Sequence, residues 1–332
     1  MDVDAFVAAH HGDWLRLERL INRGRKLTGA EIDELVELYQ RTATHLSVVR
    51  SSSPDPVLVG RLSSLVARGR AAVTGAQAPM WRDATRLVTV SFPATAYRMR
   101  FWWLCTAALS IVTGTIVAIW VARNPEVQAS IATPYEIRQL VEHDFANYYT
   151  EHAAGAFAFE VWVNNVWVAA LALISGILLG VFTLYLLFLT SVAQLGFSAG
   201  LMFAAGKGDV FLGLILPHGL LELSAVYLAC ATGLRLGWTI IDPGPRRRGQ
   251  ALAQEGRAAM SIAIGLIGVL LISGAIEGFV TGHVHTTWLR IGIGVVAELT
   301  FLTYVLVLGR KAVKEGETGD IDITPDVAPT AA

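Results

Sequence analysis

His218 and Glu222 stand four residues apart in the run Leu216-Pro217-His218-Gly219-Leu220-Leu221-Glu222-Leu223. On a helix that spacing puts both side chains on one face, about 6 Å apart, where an imidazole and a carboxylate can pair. Pro217 removes a backbone donor and can kink or start a helix there, and Gly219 lets a neighbour approach closely. Two further carboxylates, Glu277 and Glu298, fall like Glu222 inside long apolar stretches in which no basic residue lies deep; Arg290 sits at an end, where it can snorkel. A charge at the bilayer centre costs between about 2.5 and 10 kcal/mol, so retained acids must face protein interior or water. Two uses stay open for His218, Glu222, Glu277 and Glu298: a proton relay, ion site or gate, or a buried polar lock that fixes helix register.

The elements that must position these residues are membrane helices. Of 332 residues, 54% are hydrophobic and only 16% charged, with a mean hydropathy of +0.51, which excludes a soluble single domain. The 26 Lys plus Arg against 27 Asp plus Glu leave no basic field for nucleic acid. A span needs about 20 apolar residues. Residues 101–121, 166–190, 211–231, 261–280 and 288–308 qualify, while 191–206 is apolar but short and reads as a half-length or re-entrant segment. The predicted fold class is all-α: a polytopic helical membrane protein of about five membrane helices plus that short segment, with a small N-terminal helical bundle. Acidic and basic residues precede the first apolar run, so no secretory signal peptide is expected and the first span targets the chain.

Orientation follows from basic residues at span ends. Arg82, Arg86, Arg98 and Arg100 put the N-terminus in the cytoplasm; the loop 122–160, with six acids against Arg123 and Arg138, suits the outer face. Arg235, Arg246, Arg247, Arg248 and Arg257 mark 232–258 as cytoplasmic, as Arg310, Lys311 and Lys314 mark the tail. Both termini are then inside. An even number of crossings follows, so 191–231 either re-enters or crosses twice, with Lys207 at an outer turn in the second case.

Residues 1–80 read as three helices in an antiparallel bundle. Thr28-Gly29-Ala30-Glu31 fits a capping box, Gly24 and Gly29 punctuate the join to an earlier helix, and Ser53-Pro54 opens a third. Residues 81–100 form a connector in which Trp81–Phe92 either lies along the inner membrane surface or simply links, with Pro93 ending it. The tail 310–332 is expected to be disordered.

Asn164 and Asn165 stand at the outer mouth of the second predicted span, where amides cap helices or bond across them. Gly176/Gly180 and Gly196/Gly200, at four-residue spacing, suit close helix packing or dimerisation. His283 and His285 in a short turn are thin evidence for a metal, and Cys105 and Cys230, both within spans, read as buried small hydrophobes. No metal or other cofactor is expected. Walker A, glycine-rich nucleotide and zinc-helix signatures are absent from the sequence, so no catalytic residue is assigned.

The Pro217-His218-Gly219-x-x-Glu222 element, with Asn164-Asn165 ahead of it, the glycine-rich stretch 195–208 between and Glu277-Gly278 after it, closely resembles the stage II sporulation protein M family. The resemblance covers roughly 80–310 and looks like the longer form found in non-sporulating bacteria; 22 Arg against 4 Lys suits a high-GC bacterium. It implies an integral protein of the bacterial cytoplasmic membrane. In spore formers, members anchor and organise two peptidoglycan-degrading partners; elsewhere they look like companions of MoxR-type ATPases. It assigns no catalytic residues and no role in sporulation.

Two functional classes follow. One is a non-enzymatic scaffold, embedded in membrane lipid and able to form a homo-oligomer, whose outer acidic loop 122–160 and cytoplasmic bundle 1–80 dock envelope partners while the buried acids lock the helices. The other is a transporter or channel lined by the His/Glu cluster. An intramembrane hydrolase ranks behind both, since His218 has no evident nucleophile or metal-ligand set around it in the sequence.

Overall fold

The computed structural model describes residues 3–23, 27–52, 55–73, 80–149 and 153–319. The chain forms two compact units, Met1–Ala84 and Thr85–Ala332, and no strand occurs among the described residues.

In the first unit, helices α1 (Val3–Arg23), α2 (Gly29–Ser52) and α3 (Pro56–Val73) each bury one stripe of apolar residues. Trp14, Leu17 and Leu20 meet Leu35, Leu38, Leu46 and Val49 of α2 and Leu58, Leu62 and Leu65 of α3 in one core. The capping box closes as the sequence predicts: Glu31 N–H donates to Thr28 Oγ1 and Thr28 N–H to Glu31 Oε2 at 2.9 Å. The third helix starts at Pro56, with Asp55 accepting from the Val57 N–H; Gly24 and Ser53-Pro54 lie outside the described residues. Arg23–Glu31, Arg16–Glu34 and Asp13–Arg41 pair in opposite chain order, which makes α1 and α2 antiparallel.

A half-buried aromatic cluster joins those two helices. Trp14 Nε1 donates to His45 Nδ1 at 3.2 Å, and the His10 and His45 rings lie 4.0 Å apart. Burial first, and His10 and Arg41 after it, hold the His45 imidazole below its ordinary value, with Asp13 opposing. Folding therefore prefers neutral His45: the unfolded chain binds more protons just below pH 6.5, and stability is lost as pH falls from there through the folded-state value. Thermal melts of fragment 1–84 are expected to drop between pH 7 and 5, and less so in His45→Leu; equal drops would remove His45 as the cause.

Among its described residues the second unit contains six helices long and apolar enough to cross a membrane: α5 (Arg100–Arg123), α8 (Ala154–Ile177), α9 (Val181–Ala204), α10 (Gly208–Ile241), α11 (Arg248–Thr281) and α12 (Thr287–Lys314). Short helices α4 (Phe92–Arg98), α6 (Pro125–Ile131) and α7 (Pro134–Gln139) accompany them. The protein is a multi-pass membrane protein. α10 is the centre: it packs on α5, α8, α11 and α12 and supplies Leu221, Ala225, Leu228 and Cys230 to a core completed by Trp103, Ile262, Leu266, Leu270 and Phe301. Cys230 is thus the buried small hydrophobe expected from the sequence, whereas Cys105 on α5 is exposed.

Several boundaries differ from the sequence reading. The stretch 166–190 is not one span: the chain turns at Leu178–Gly180, where Leu179 and Gly180 adopt left-handed φ of 56° and 74°. The segment 191–206 is accordingly the second half of the full-length span α9, neither short nor re-entrant, and Lys207 lies in the turn before α10. α8 begins at Ala154, which shortens the long connection to 124–153. Pro93 does not end a helix: π-type turns at Leu87–Ser91, closed by the Phe92 N–H on Leu87 O, run directly into α4 through the proline, and Phe92–Ala96 are buried in the membrane unit. The tail is ordered at its start: α12 runs to Lys314, and Arg86 donates to Glu317 at 2.9 Å, while 320–332 lie outside the described residues.

Candidate functional site

Helix α10 runs unbroken through Pro217 and presents His218 and, one turn on, Glu222 toward α11. The last turns of α11, Glu277–Thr281, widen into π-type turns of the kind that often re-aim side chains at functional sites. His218 Nδ1 lies 3.2 Å from Thr281 Oγ1, and its Nε2 lies 3.9 Å from Glu277 Oε1. One donor atom each from His218, Glu222 and Glu277 falls within 4.8 Å of the others. His218 and Glu277 are 5% and 4% exposed, and Glu222 Oε2 is buried with no hydrogen-bond partner.

These three groups form the floor of a cavity of about 700 Å³. Its roof comes from the long connection: Leu140, Asp144, Phe145, Tyr148 and Tyr149. The Tyr149 ring sits 5.7 Å from the His218 ring, and burial raises its phenol above the ordinary range, so it stays a neutral O–H. The approach of Tyr149 depends on glycine. A Cβ at Gly282 would collide with the Tyr149 carbonyl and one at Gly278 would lie 2.6 Å from Ala154 O, so the stripe Gly274, Gly278, Gly282 lets α8 and the roof seat directly on α11.

The other predicted residues distribute as follows. Asn164 and Asn165 are not caps: they lie about three turns inside α8 and line the cavity, Asn165 within hydrogen-bonding reach of Glu222 and Asn164 donating to Asn165 Oδ1 at 3.2 Å. Gly219 lines the same space, so its missing side chain keeps the cavity open. Glu298 does not join the other three. Ser224 Oγ donates to Glu298 Oε1 at 2.6 Å, and Glu298 is outside the cavity lining. The single His/Glu cluster expected from sequence is therefore a triad and a separate Ser–Glu pair. Gly176 backs onto Gly233, Gly180 takes the left-handed turn, and Gly196 and Gly200 press on Val117 and Val121 of α5, so the four serve packing within the chain.

Sequence reasoning missed Asp144, Tyr149 and Thr281. Thr281 carried a signal, standing four residues after Glu277; the other two lie on a connection whose folding back over the triad has no periodicity to read. It also missed Glu255, 2% exposed and faced by Arg98, Arg235 and Arg246 at 3.8, 3.7 and 3.4 Å. The arrangement can bind a cation or a small polar ligand and hold or move a proton between carboxylates.

A family described as Stage II sporulation protein M matches residues 107–282, and one described as Domain of unknown function (DUF8413) matches residues 4–75. No curated protein and no solved structure matches the chain. The first match spans more than half of the sequence and includes the triad, both asparagines and the cavity roof, so the chain belongs to the stage II sporulation protein M family.

Proposed function

We propose that the chain is a non-enzymatic anchor in the bacterial cytoplasmic membrane that holds a cell-envelope complex, with both termini in the cytoplasm. The observation that carries this reading is the long connection, described over 124–149: Phe145 and Tyr149 at its end pack on Phe211 and His218 of the membrane unit, while the helices before them stay unburied and leave Tyr135 and Glu142 exposed as a preformed surface. The side follows from the charges: Arg98, Arg100, Arg235, Arg246, Arg247, Arg248, Arg310 and Lys311 gather at one set of helix ends, which the positive-inside rule assigns to the cytoplasm. The connection is then extracytoplasmic and the three-helix unit cytoplasmic. Fitting partners are a peptidoglycan hydrolase outside and a MoxR-type ATPase inside.

Crosslinking in native membranes, followed by capture of the tagged chain and mass spectrometry, tests this. Recovery of a hydrolase or such an ATPase in near-equal amount is expected, and Tyr135→Ser with Glu142→Ser should cut recovery of the outer partner by roughly tenfold, the effect of losing one strong contact. Recovery of the chain with itself alone overturns the reading.

A transporter is the second reading, favoured by the cavity reaching the buried acids. Against it, the space beyond the triad is filled by Leu221, Ala225, Leu228, Leu266 and Leu270. A flux in liposomes that Glu222→Gln changes would establish it in place of the anchor.

A further inference from the structure

We propose that the cavity floor is a binding site for one divalent transition-series cation, with His218 Nε2 and one oxygen each of Glu222 and Glu277 as protein ligands. The site is independent of which partners the chain holds.

Convergence comes first. Three donors from two helices fall within 4.8 Å of one another. Ligands of a tetrahedral ion with bonds of about 2.0 Å stand about 3.3 Å apart, a gap that rotation of the two carboxylates closes. The 3.9 Å between His218 Nε2 and Glu277 Oε1 is too long for a hydrogen bond and leaves room for a shared ion.

The histidine is already oriented for the task. Thr281 Oγ1 engages Nδ1 at 3.2 Å, and Thr281 in turn donates to Ile276 O, so the hydroxyl accepts the Nδ1 proton. That tautomer leaves the Nε2 lone pair toward the carboxylates, the outer-shell arrangement usual for metal-ligating histidines.

Charge supplies the third argument. Asp144, Glu160, Glu222 and Glu277 all line the cavity, and among the described residues no Lys or Arg does. Asp144 and Glu160, the exposed members of that set, raise the local concentration of cations. Two carboxylates at the floor are neutralised by one dication, and the buried, unpartnered Glu222 Oε2 gains a partner. One imidazole with two carboxylates suits Zn²⁺ or Mn²⁺ better than Mg²⁺ or Ca²⁺, which take oxygen alone. Three protein ligands leave at least one position open to the cavity.

The test uses the full chain with a tag free of histidine, purified in detergent, stripped with chelator and titrated separately with Zn²⁺ and Mn²⁺. One equivalent retained through gel filtration is expected, together with a rise in melting temperature of about 4 °C or more at a hundredfold excess over Kd. Glu222→Gln and Glu277→Gln should each weaken binding at least about tenfold, as loss of a ligand does. Both are compared with the parent chain by melting in chelator; if Glu277→Gln fails to fold, Glu222→Gln, whose side chain borders open cavity, decides. The pair His283→Ala and His285→Ala should keep the full equivalent. No retained ion in the parent chain, or an ion lost with His283 and His285 but kept in Glu222→Gln, overturns the site.

Discussion

Gly233→Leu is expected to abolish recovery of the folded membrane unit. Gly176 and Gly180 at the α8–α9 turn face Gly233 and Gly237 of α10, two pairs at four-residue spacing set against each other. A Cβ at Gly233 would enter the Ala172 carbonyl, one at Gly176 would enter the Gly233 backbone, and one at Gly237 would lie 2.6 Å from Gly180 N. Because the obstruction is backbone, no rotamer relieves it; the turn must retreat from α10 by more than an ångström. Thr183, which donates to Ala172 O at 3.0 Å and pairs with Ser175 at 2.9 Å, would lose its partners in a buried site. Ordinary overpacking costs about 1–3 kcal/mol, and here lost buried hydrogen bonds add about 1–3 kcal/mol more. Together, at about 2–6 kcal/mol, these reach the lower end of the stability of a whole domain, about 5–15 kcal/mol. Fluorescence-detected gel filtration of detergent extracts checks this, with Gly292→Ala as control, since nothing lies within 4 Å of a Cβ there. A Gly233→Leu chain that elutes and melts like the parent would refute the backbone contact.

Hydropathy and spacing carried the architecture a long way. Apolar length alone marks the membrane helices, and the i,i+4 spacing of His218 and Glu222 already places both on one face of α10. The turn at 178–180 was hidden because the residues around it, Ile177-Leu178-Leu179-Gly180-Val181, are as apolar as the spans they join. A turn between two membrane helices normally shows as polar residues; here only the left-handed Gly180 marks it, and the excess length of 166–206 was the available clue. Asn164 and Asn165 are the reverse case. Of the two uses open to these amides, capping fails because they lie mid-helix facing a polar cavity, and bonding across helices holds for Asn165, which reaches Glu222 of α10.

The triad was half legible for a related reason. Two residues on one helix have a fixed relation, but whether Glu277 or Glu298 turns toward them depends on the rotation of α11 and α12 about their axes. The widened turns at Glu277–Thr281 shift that phase for one of them, and the close approach of Gly294 to the carbonyls of Leu216 and Pro217 fixes it for the other. Neither effect has a signature in apolar periodicity, which reports burial and says nothing of which polar groups meet.

Glu255→Ala should be the second large effect, and it acts at the opposite end of the helices from the cavity. The Glu255 carboxylate is buried, yet it is met by guanidiniums from three elements: Arg98 of α4, Arg235 of α10 and Arg246 before α11, the last also donating to Gln254 at 2.6 Å. Remove the carboxylate and three cations face one another without an anion. Truncating one partner of a fully buried pair costs about 3–5 kcal/mol, and since these arginines keep 28–32% of their side-chain exposure, water screens part of it, leaving about 2–3 kcal/mol. Glu255→Gln, which retains shape but not charge, should recover only a minor part. Melting in detergent at low and high salt separates the terms: added salt should narrow the gap between Glu255→Gln and the parent, because screening relieves the arginine repulsion. A gap that salt leaves untouched would assign the loss to packing. The network also accounts for an asymmetry of the molecule. It ties α4, α10 and α11 together at one end with charge-assisted contacts, while glycine-mediated seating of the long connection leaves an acidic cavity at the other, so the helices are held shut where the arginines gather and open where the triad lies.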